Sequence, residues 1–583
     1  MMLDRRRVDD FFRYLGRISF WLSLFAVIII IYEHGFDHEI LTPPDFQNFY
    51  LAVIIVGVIF IGGRFLSIKE RPSRKVIPVD ILLGLYLVAI IAGAAGLEWM
   101  EFFDYRIHKY LGLFLVFMRE SSTLKFTPSL QLLNPAQLFV ALYVMIIILG
   151  TVLLMMPNAT YEGITFTDAL FTSTSAFCIT GLIVVDTGTW FTTFGQVVIL
   201  LLIQLGGIGI MTFTSFFRYL FSGETTYGDQ LLLKDITSSD QLTEVFRTIR
   251  IIIIFTLVIE AFGAIFIYMS LDGTLFGSLE ERIYFSVFHS ISGFCSAGFT
   301  IMTDSLYHNA FRFNYSLHLI IAFLFIAGGL GFPIIFNFVR YLKNLLRNRM
   351  LNERRIHIPW VLNITTRIVL VATVILLVSG TLLFYFFEYD NTLAAHDGAG
   401  KIITAFFGAA TPRSAGFNTV DTSALALPTV MMVMLFMWIG AGPGSTGGGI
   451  KVTSFAVAVM NVVSMARGKD RIEVYGREIS QATVGRAFAF MLLSFLMIGA
   501  SVFLITIIER EQDLLPVAFE CFSAYGTVGL SMGITGELEN ASKLIIVVNM
   551  FTGRLGMLII LYSLLKNVKH LNYRYPAEGV LIN

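Results

Sequence analysis

Four glycines, Gly181, Gly298, Gly416 and Gly529, recur at intervals of 117, 118 and 113 residues. Each lies in a short polar stretch: "FTSTSAFCITGLIVVDT", "FHSISGFCSAGFTIMTD", "FFGAATPRSAGFNTVDT" and "FECFSAYGTVGLSMGIT". A phenylalanine stands ten residues before every glycine (Phe171, Phe288, Phe406, Phe519), and Leu or Phe follows it. Glycine reaches backbone angles closed to other residues. A ring of such segments can therefore turn its carbonyl oxygens inward and replace the water shell of a dehydrated cation. With no carboxylate lining it, a carbonyl ring suits a monovalent ion rather than calcium. The chemistry is ion coordination by backbone, not catalysis.

The elements around the glycines explain how such segments could be held. A long apolar stretch precedes each one, at about 135–156, 250–270, 367–387 and 486–508. Another follows, at about 191–221, 312–343, 428–465 and 541–566. Irregular backbone at membrane depth is tolerated only where protein buries it or it lines a wet cavity. The spacing thus predicts four units of helix, short dipping helix, glycine loop and helix. Basic residues gather between units, in "RYLKNLLRNRMLNERR", in "ARGKDRIEVYGR" and at Arg218, Lys234, Arg247 and Arg250. The positive-inside rule then puts both ends of every unit inside and all four glycine loops outside. The repeats are parallel, unlike the inverted halves of many carriers. A dipping helix also directs its negative C-terminal end at the ring, which favours a cation.

Composition fits this reading. The chain has 583 residues, 56% hydrophobic and only 14% charged, where soluble domains carry about 25%. Mean hydropathy is +0.76. The expected class is an all-α polytopic membrane protein with four parallel repeats around one central pore, embedded in the lipid bilayer of the cell (inner) membrane. Forty-one basic residues balance 41 acidic ones, so nothing argues for nucleic acid. Cys178, Cys295 and Cys521 have no metal-ligand spacing. No nucleophile–base pair suggests an enzyme. "RRRVDDFFRYLGR" leads an apolar stretch with no small-residue cleavage site, which reads as a retained first helix.

With "TPRSAGFNTVDT", "AYGTVGLS" and above all "GAGPGSTGGGIKVTSF" at 440–455, the chain resembles the potassium transporters that include TrkH, KtrB and the plant HKT proteins, over about 135–583. The resemblance implies a potassium filter at Ile179, Thr180 and Gly181, at Ser296, Ala297 and Gly298, at Ser414, Ala415 and Gly416, and at Thr527, Val528 and Gly529. Potassium would be held there by backbone carbonyls, with no other cofactor. Sodium-preferring relatives often carry serine at the first filter glycine; this chain has Gly181. The resemblance further implies an intramembrane gating loop at Gly442, Pro443, Gly444, Ser445, Thr446, Gly447, Gly448 and Gly449. Arg554 would be a positive barrier under the filter. It also implies a homodimer and a separate cytoplasmic nucleotide-binding subunit, TrkA- or KtrA-like. The alternative function is a sodium-selective or sodium-coupled transporter on the same scaffold.

Several residues allow more than one reading. "GPGSTGGGIK" lacks the GK[ST] order of a phosphate loop and interrupts an apolar helix, so it reads as a helix break. Asp186, Asp304 and Asp421 follow their glycines and are either mouth charges or ordinary loop charges. Cys178 and Cys295 read as small packing residues, and Arg413, at the same position in the third copy, as structural. Glu260 needs a partner or a place near a helix end, and Lys451 could snorkel to the interface. The expected division is an N-terminal extension at 1–134 and repeats at 135–235, 236–350, 351–475 and 476–583. Parity of crossings calls for four helices in the extension, with the fourth at about 99–119. The charges Arg106, Lys109 and Arg119 lack the three-residue period of a voltage sensor.

Overall fold

The computed structural model describes residues 2–36, 43–65, 77–121, 135–209, 245–350 and 362–564. Part of the basic sequence that set the topology, including Arg218, Lys234 and residues 351–355, lies outside these residues. Almost everything described is helical. Six described helices are long and apolar enough to cross a membrane, or seven if one bent pair counts as a span. The chain is an all-α polytopic membrane protein.

Each unit has a leading, a central and a trailing helix. The leading helices are Pro135–Leu154, Val245–Ser270, Ile364–Glu388 and Gln481–Ile508. At 20 to 28 residues they match the roughly 30 Å hydrocarbon layer. They leave large apolar side chains such as Phe262, Val374 and Leu492 exposed, as a lipid-facing surface does. The central helices are Phe166–Phe177, Leu279–Cys295, Ala399–Ala410 and Leu514–Gly526. At 12 to 17 residues they rise only about 18–26 Å, short of the roughly 30 Å layer. The glycine loops follow their C-terminal ends. These helices are polar yet buried: Ser173, Thr174 and Ser175 are inaccessible, as are Ser290 and Ser292.

The trailing helices, Thr193–Ile208, Tyr315–Leu330, Leu427–Trp438 and Asn540–Leu555, all stop early. Three end on a glycine with positive φ: Gly209 at 81°, Gly331 at 94° and Gly556 at 81°. These are the last residues of "GGIG", "GGLG" and "GRLG". At Gly331 the chain bends by 100° before continuing. The third trailing helix breaks over a longer stretch and resumes as Val452–Ala466. A small hairpin, Ile472–Val474 with Arg477–Ile479, precedes the fourth unit. Its Tyr475 and Gly476 both have positive φ, as a tight two-residue hairpin turn requires. The ring of units closes through Lys543 of the fourth and Asp168 of the first, 2.8 Å apart.

Ahead of the units stand Met2–Gly35, Pro43–Gly63, Ile77–Ala94 and Arg106–Ser121. A 3-10 turn, Glu98–Asp104, occupies the first part of the stretch the sequence assigns to the fourth helix. That helix is therefore shorter than expected, because the turn carries Glu98, Glu101 and Asp104 and packs back on Gly93. The bundle has its own core, including Tyr50, Ile54, Leu87, Leu113 and Val116. Its charges are paired inside: Arg119 Nε to Asp80 Oδ1 at 2.5 Å and Arg64 Nη2 to Glu120 Oε2 at 2.5 Å. Paired within the bundle, Arg64 and Arg119 lock helices together. Removing one partner of a buried pair costs about 3–5 kcal/mol. Arg119→Ala is expected to lower the melting temperature of the detergent-purified protein sharply. The double variant with Asp80→Ala should melt higher than the single one.

Candidate functional site

The four glycine loops meet in a closed ring. A Cβ added to Gly181 would fall on the carbonyl oxygen of Ala297, and one on Gly298 would stand 2.9 Å from that of Ala415. One on Gly416 would fall on Val528 O, and one on Gly529 on Thr180 O. Each glycine thus abuts the carbonyl of the residue before the next glycine, in the order one, two, three, four, one. Only a hydrogen fits between the strands.

The backbone repeats as closely as the packing. The glycines have φ of 86°, 71°, 78° and 94°. Two residues earlier, Ile179, Ser296, Ser414 and Thr527 have φ of 56°, 59°, 68° and 47°. Non-glycine residues seldom adopt positive φ, and a β-branched one such as Ile179 or Thr527 is an outlier. Each costs about 1–3 kcal/mol and persists only where its surroundings impose it. Here a hydroxyl on each central helix braces the loop. Ser175 Oγ donates to Leu182 O at 2.7 Å and accepts from Gly181 N at 3.1 Å. Ser292 Oγ donates to Phe299 O and Thr411 Oγ1 to Phe417 O. Ser523 Oγ accepts from Gly529 N at 3.1 Å. The hydroxyls were visible in the sequence, but their distance from the glycine is six residues in three copies and five in the third.

That shift changes the reading of the third repeat. In repeats one, two and four the backbone N–H before the glycine bonds five residues back, as Thr180 does to Ser175. In repeat three Ala415 bonds four residues back, to Thr411. One residue is saved at the turn, so the buried ring equivalent to Phe171, Phe288 and Phe519 is Phe407 rather than Phe406.

The stretch 439–451 lies directly against this ring. Thr446 Oγ1 is 3.2 Å from Ser296 Oγ. Gly448 N donates to Ser414 Oγ at 3.1 Å, and that hydroxyl donates to Thr527 O at 2.7 Å. A Cβ at Gly448 would strike Thr527 Oγ1. Gly442 N and Thr446 N reach Gly329 O and Gly328 O, Gly449 N reaches Gly553 O, and Phe332 N reaches Gly444 O. Ser445 Oγ closes on Gly442 O, and Pro443 lies against Gly331. The stretch is therefore stitched to units two, three and four. Unit one offers Ile179, which has no hydroxyl, and Arg554 takes that side. Its guanidinium donates to Thr446 O and, at 2.8 Å, to Gly206 O.

The remaining charged residues fall into place around the ring. Lys451 folds back onto the stretch, with Nζ donating to Gly447 O at 2.6 Å, rather than reaching away from it. Glu260 accepts from Gln204 Nε2 at 3.0 Å, and the Cys295 thiol faces both. Arg413 Nη2 donates to Thr373 Oγ1 at 3.3 Å beside a small cavity lined by Phe325, Leu377 and Ala441. Asp186 caps Gly188 and Thr189, and Asp421 caps Ser423, so both carboxylates are used in their own loops. Among the described residues no group of His, Cys, Asp and Glu could hold a metal, and the three cysteines are free.

An all-helical membrane fold with a fourfold carbonyl and glycine ring is an arrangement whose backbone oxygens can hold a dehydrated cation. The sequence profile of the TrkH family, described as "Cation transport protein", matches residues 113–570, and the chain belongs to that family. It is 36% identical over 449 residues to the Ktr system potassium uptake protein B of Bacillus subtilis, covering 77% of this chain and 96% of that one. It is 33% identical over 458 residues to the potassium/sodium uptake protein NtpJ of Enterococcus hirae, covering 77% and 97%. The solved potassium transporter TrkH from Vibrio parahaemolyticus has the same fold, with a TM-score of 0.60 at 16% identity, over 89% of this chain and 98% of that one. The family profile begins at 113, so the first three helices of the bundle lie outside it.

Proposed function

We propose that the chain takes up potassium through a pore whose filter is the ring formed by Gly181, Gly298, Gly416 and Gly529 with the two residues before each. The observation that carries this reading is the fourfold alternation of positive φ at the glycine and two residues before it. That alternation lines up successive carbonyls on one strand. Four strands then present tiers of oxygens to a dehydrated monovalent cation. The four central-helix C-termini add negative potential at the ring. The names of the relatives in Bacillus subtilis and Vibrio alginolyticus, both potassium uptake proteins, support potassium as the ion.

The stretch from Gly442 to Gly449 serves as the gate. It blocks the path below the filter, and Arg554 both latches it and adds a positive barrier. Opening is driven by a separate cytoplasmic nucleotide-binding subunit acting on a homodimer. The repeats span 135–235, 236–350, 351–475 and 476–583, after an extension at 1–134. A sodium-selective or sodium-coupled variant is the second reading, favoured by the potassium/sodium name of the Enterococcus hirae relative.

The test is growth of a potassium-uptake-deficient bacterium at limiting potassium, with and without the chain, together with rubidium and sodium flux. Growth rescue with rubidium flux that sodium does not replace is expected. No rescue, at normal membrane abundance, would overturn the potassium reading.

A further inference from the structure

Behind the fourth quarter of the ring lies a buried carboxylate with no counterpart in the other three. Glu520 sits on the fourth central helix, nine residues before Gly529, and is 1% exposed. The corresponding residues are Thr172, His289 and, with the residue saved at the third turn, Gly408. Glu520 Oε1 accepts from the Ser531 hydroxyl and, at 3.0 Å, from Thr535 Oγ1. Those two hydroxyls also bond each other at 2.9 Å, and Ser531 Oγ accepts from Gly533 N at 2.9 Å. One carboxylate oxygen therefore gathers the strand that leaves the glycine, at two and six residues beyond it.

The strand needs that hold. Gly533 has φ of 96°, and a Cβ there would meet open space, so no packing against that face holds the turn. The other loops are held differently. In the first, Gln196 Nε2 reaches Phe191 O at 3.1 Å and Thr187 O at 3.3 Å from the trailing helix. In the third, Glu388 Oε1 accepts from Ala426 N, at the far end of the loop. In the fourth, a carboxylate on the central helix reaches two and six residues beyond the glycine, whereas Ser175, Ser292 and Thr411 each reach only the residue next to theirs. It spans the chain on both sides of Gly529, much as Ser523 does on the inner side.

We infer that Glu520 is a positioning residue for ion selectivity: through Ser531 and Thr535 it fixes the outer half of the fourth filter strand and so the height of the Val528 and Gly529 carbonyls. Carbonyl ring geometry decides which dehydrated ion is compensated. A strand released on one side would widen the ring at that quarter and favour the smaller, more hydrated ion. The carboxylate does not touch the ion; it acts through the two hydroxyls. This inference rests on the proposed filter.

The experiment measures rubidium and sodium uptake by the full chain and by Glu520→Ala, Glu520→Gln, and the double variant Ser531→Ala with Thr535→Val. Surface abundance is measured alongside. Purified protein is melted in potassium and in sodium as a readout independent of flux. Glu520→Gln keeps an acceptor for both hydroxyls and should stay within about threefold of the parent in its rubidium-to-sodium ratio. Glu520→Ala and the double variant should lose at least about tenfold of that ratio, a change of roughly 1.4 kcal/mol in discrimination. They should also lose the extra stabilisation that potassium gives over sodium. If both lower the maximal rate alone, with the ratio and the potassium-specific stabilisation intact, Glu520 is merely structural and the inference falls. If Glu520→Gln is as damaged as Glu520→Ala, the charge acts directly and the tether is overturned. A parent that carries neither ion would instead remove the proposed function, a result distinct from either of these.

Discussion

Gly529→Ala is expected to abolish potassium uptake at limiting external potassium while leaving the protein in the membrane. The added methyl has nowhere to go. It would fall on the Thr180 carbonyl and stand 2.9 Å from the Gly181 Cα, both backbone atoms of the neighbouring strand. The φ of 94° adds strain for any L-residue. The ring must then open, which separates carbonyls meant to act together on one ion. Losing about 3 kcal/mol of ion stabilisation lowers flux by about two orders of magnitude. Folding is affected less, because the neighbouring central helix keeps its hydrogen bonds and its buried Phe519. Rubidium uptake normalised to membrane abundance checks it. Flux within threefold of the parent would show that the ring does not line the ion path.

Arg554→Ala is expected to do the opposite and raise flux. The guanidinium makes two charge-assisted bonds to backbone carbonyls, Thr446 O on the stretch below the ring and Gly206 O on the first unit. Bonds of this kind contribute about 1.5–3 kcal/mol each. The other ties to the stretch come from units two, three and four, through Ser296, Ser414 and the backbone of Gly328, Gly329 and Gly553. Arg554 alone among these ties reaches unit one. Its removal frees one side of the stretch and removes a positive charge from beneath the proposed cation site. The maximal rate without any regulatory subunit should rise about tenfold, as a shift of about 1.4 kcal/mol toward the open arrangement gives. The apparent affinity for potassium should change little, since the ring is untouched. Arg554→Lys keeps the charge but cannot span both carbonyls and should fall between the two. A lower rate in Arg554→Ala would refute the latch.

Much of this organisation was legible because it is written in spacing. The four glycines share a register, so their equivalence needs no coordinates. Helices too short to cross were visible as polar stretches between apolar ones. The reading weakened where the register slipped. Phe406 aligned with its three counterparts by count, yet the turn at Thr411 saves one residue and buries Phe407 in its place. It also weakened where the partner lies far along the chain. Glu260 and Gln204 are 56 residues apart, and Arg554 and Gly206 are 348 apart. Asp186 and Asp421 allowed two readings, mouth charge or ordinary loop charge, because a sequence does not tell a free carboxylate from one that caps its own loop.

The sequence by itself determined the membrane class, the fourfold repeat, the position of the glycine loops and the site of the broken helix. Those depend on composition and on local preference: apolar length, glycine's freedom and proline's restriction act where they stand. Tertiary structure alone decided that each glycine abuts the next unit's carbonyl, that Ile179, Ser296, Ser414 and Thr527 are held at positive φ, and that Arg554 and Glu520 bind backbone and hydroxyls rather than other charges. The physical reason is that a positive φ at a non-glycine residue is locally unfavourable. It persists because bonds from each unit's own central helix, together with the packing of the four loops against one another, outweigh it.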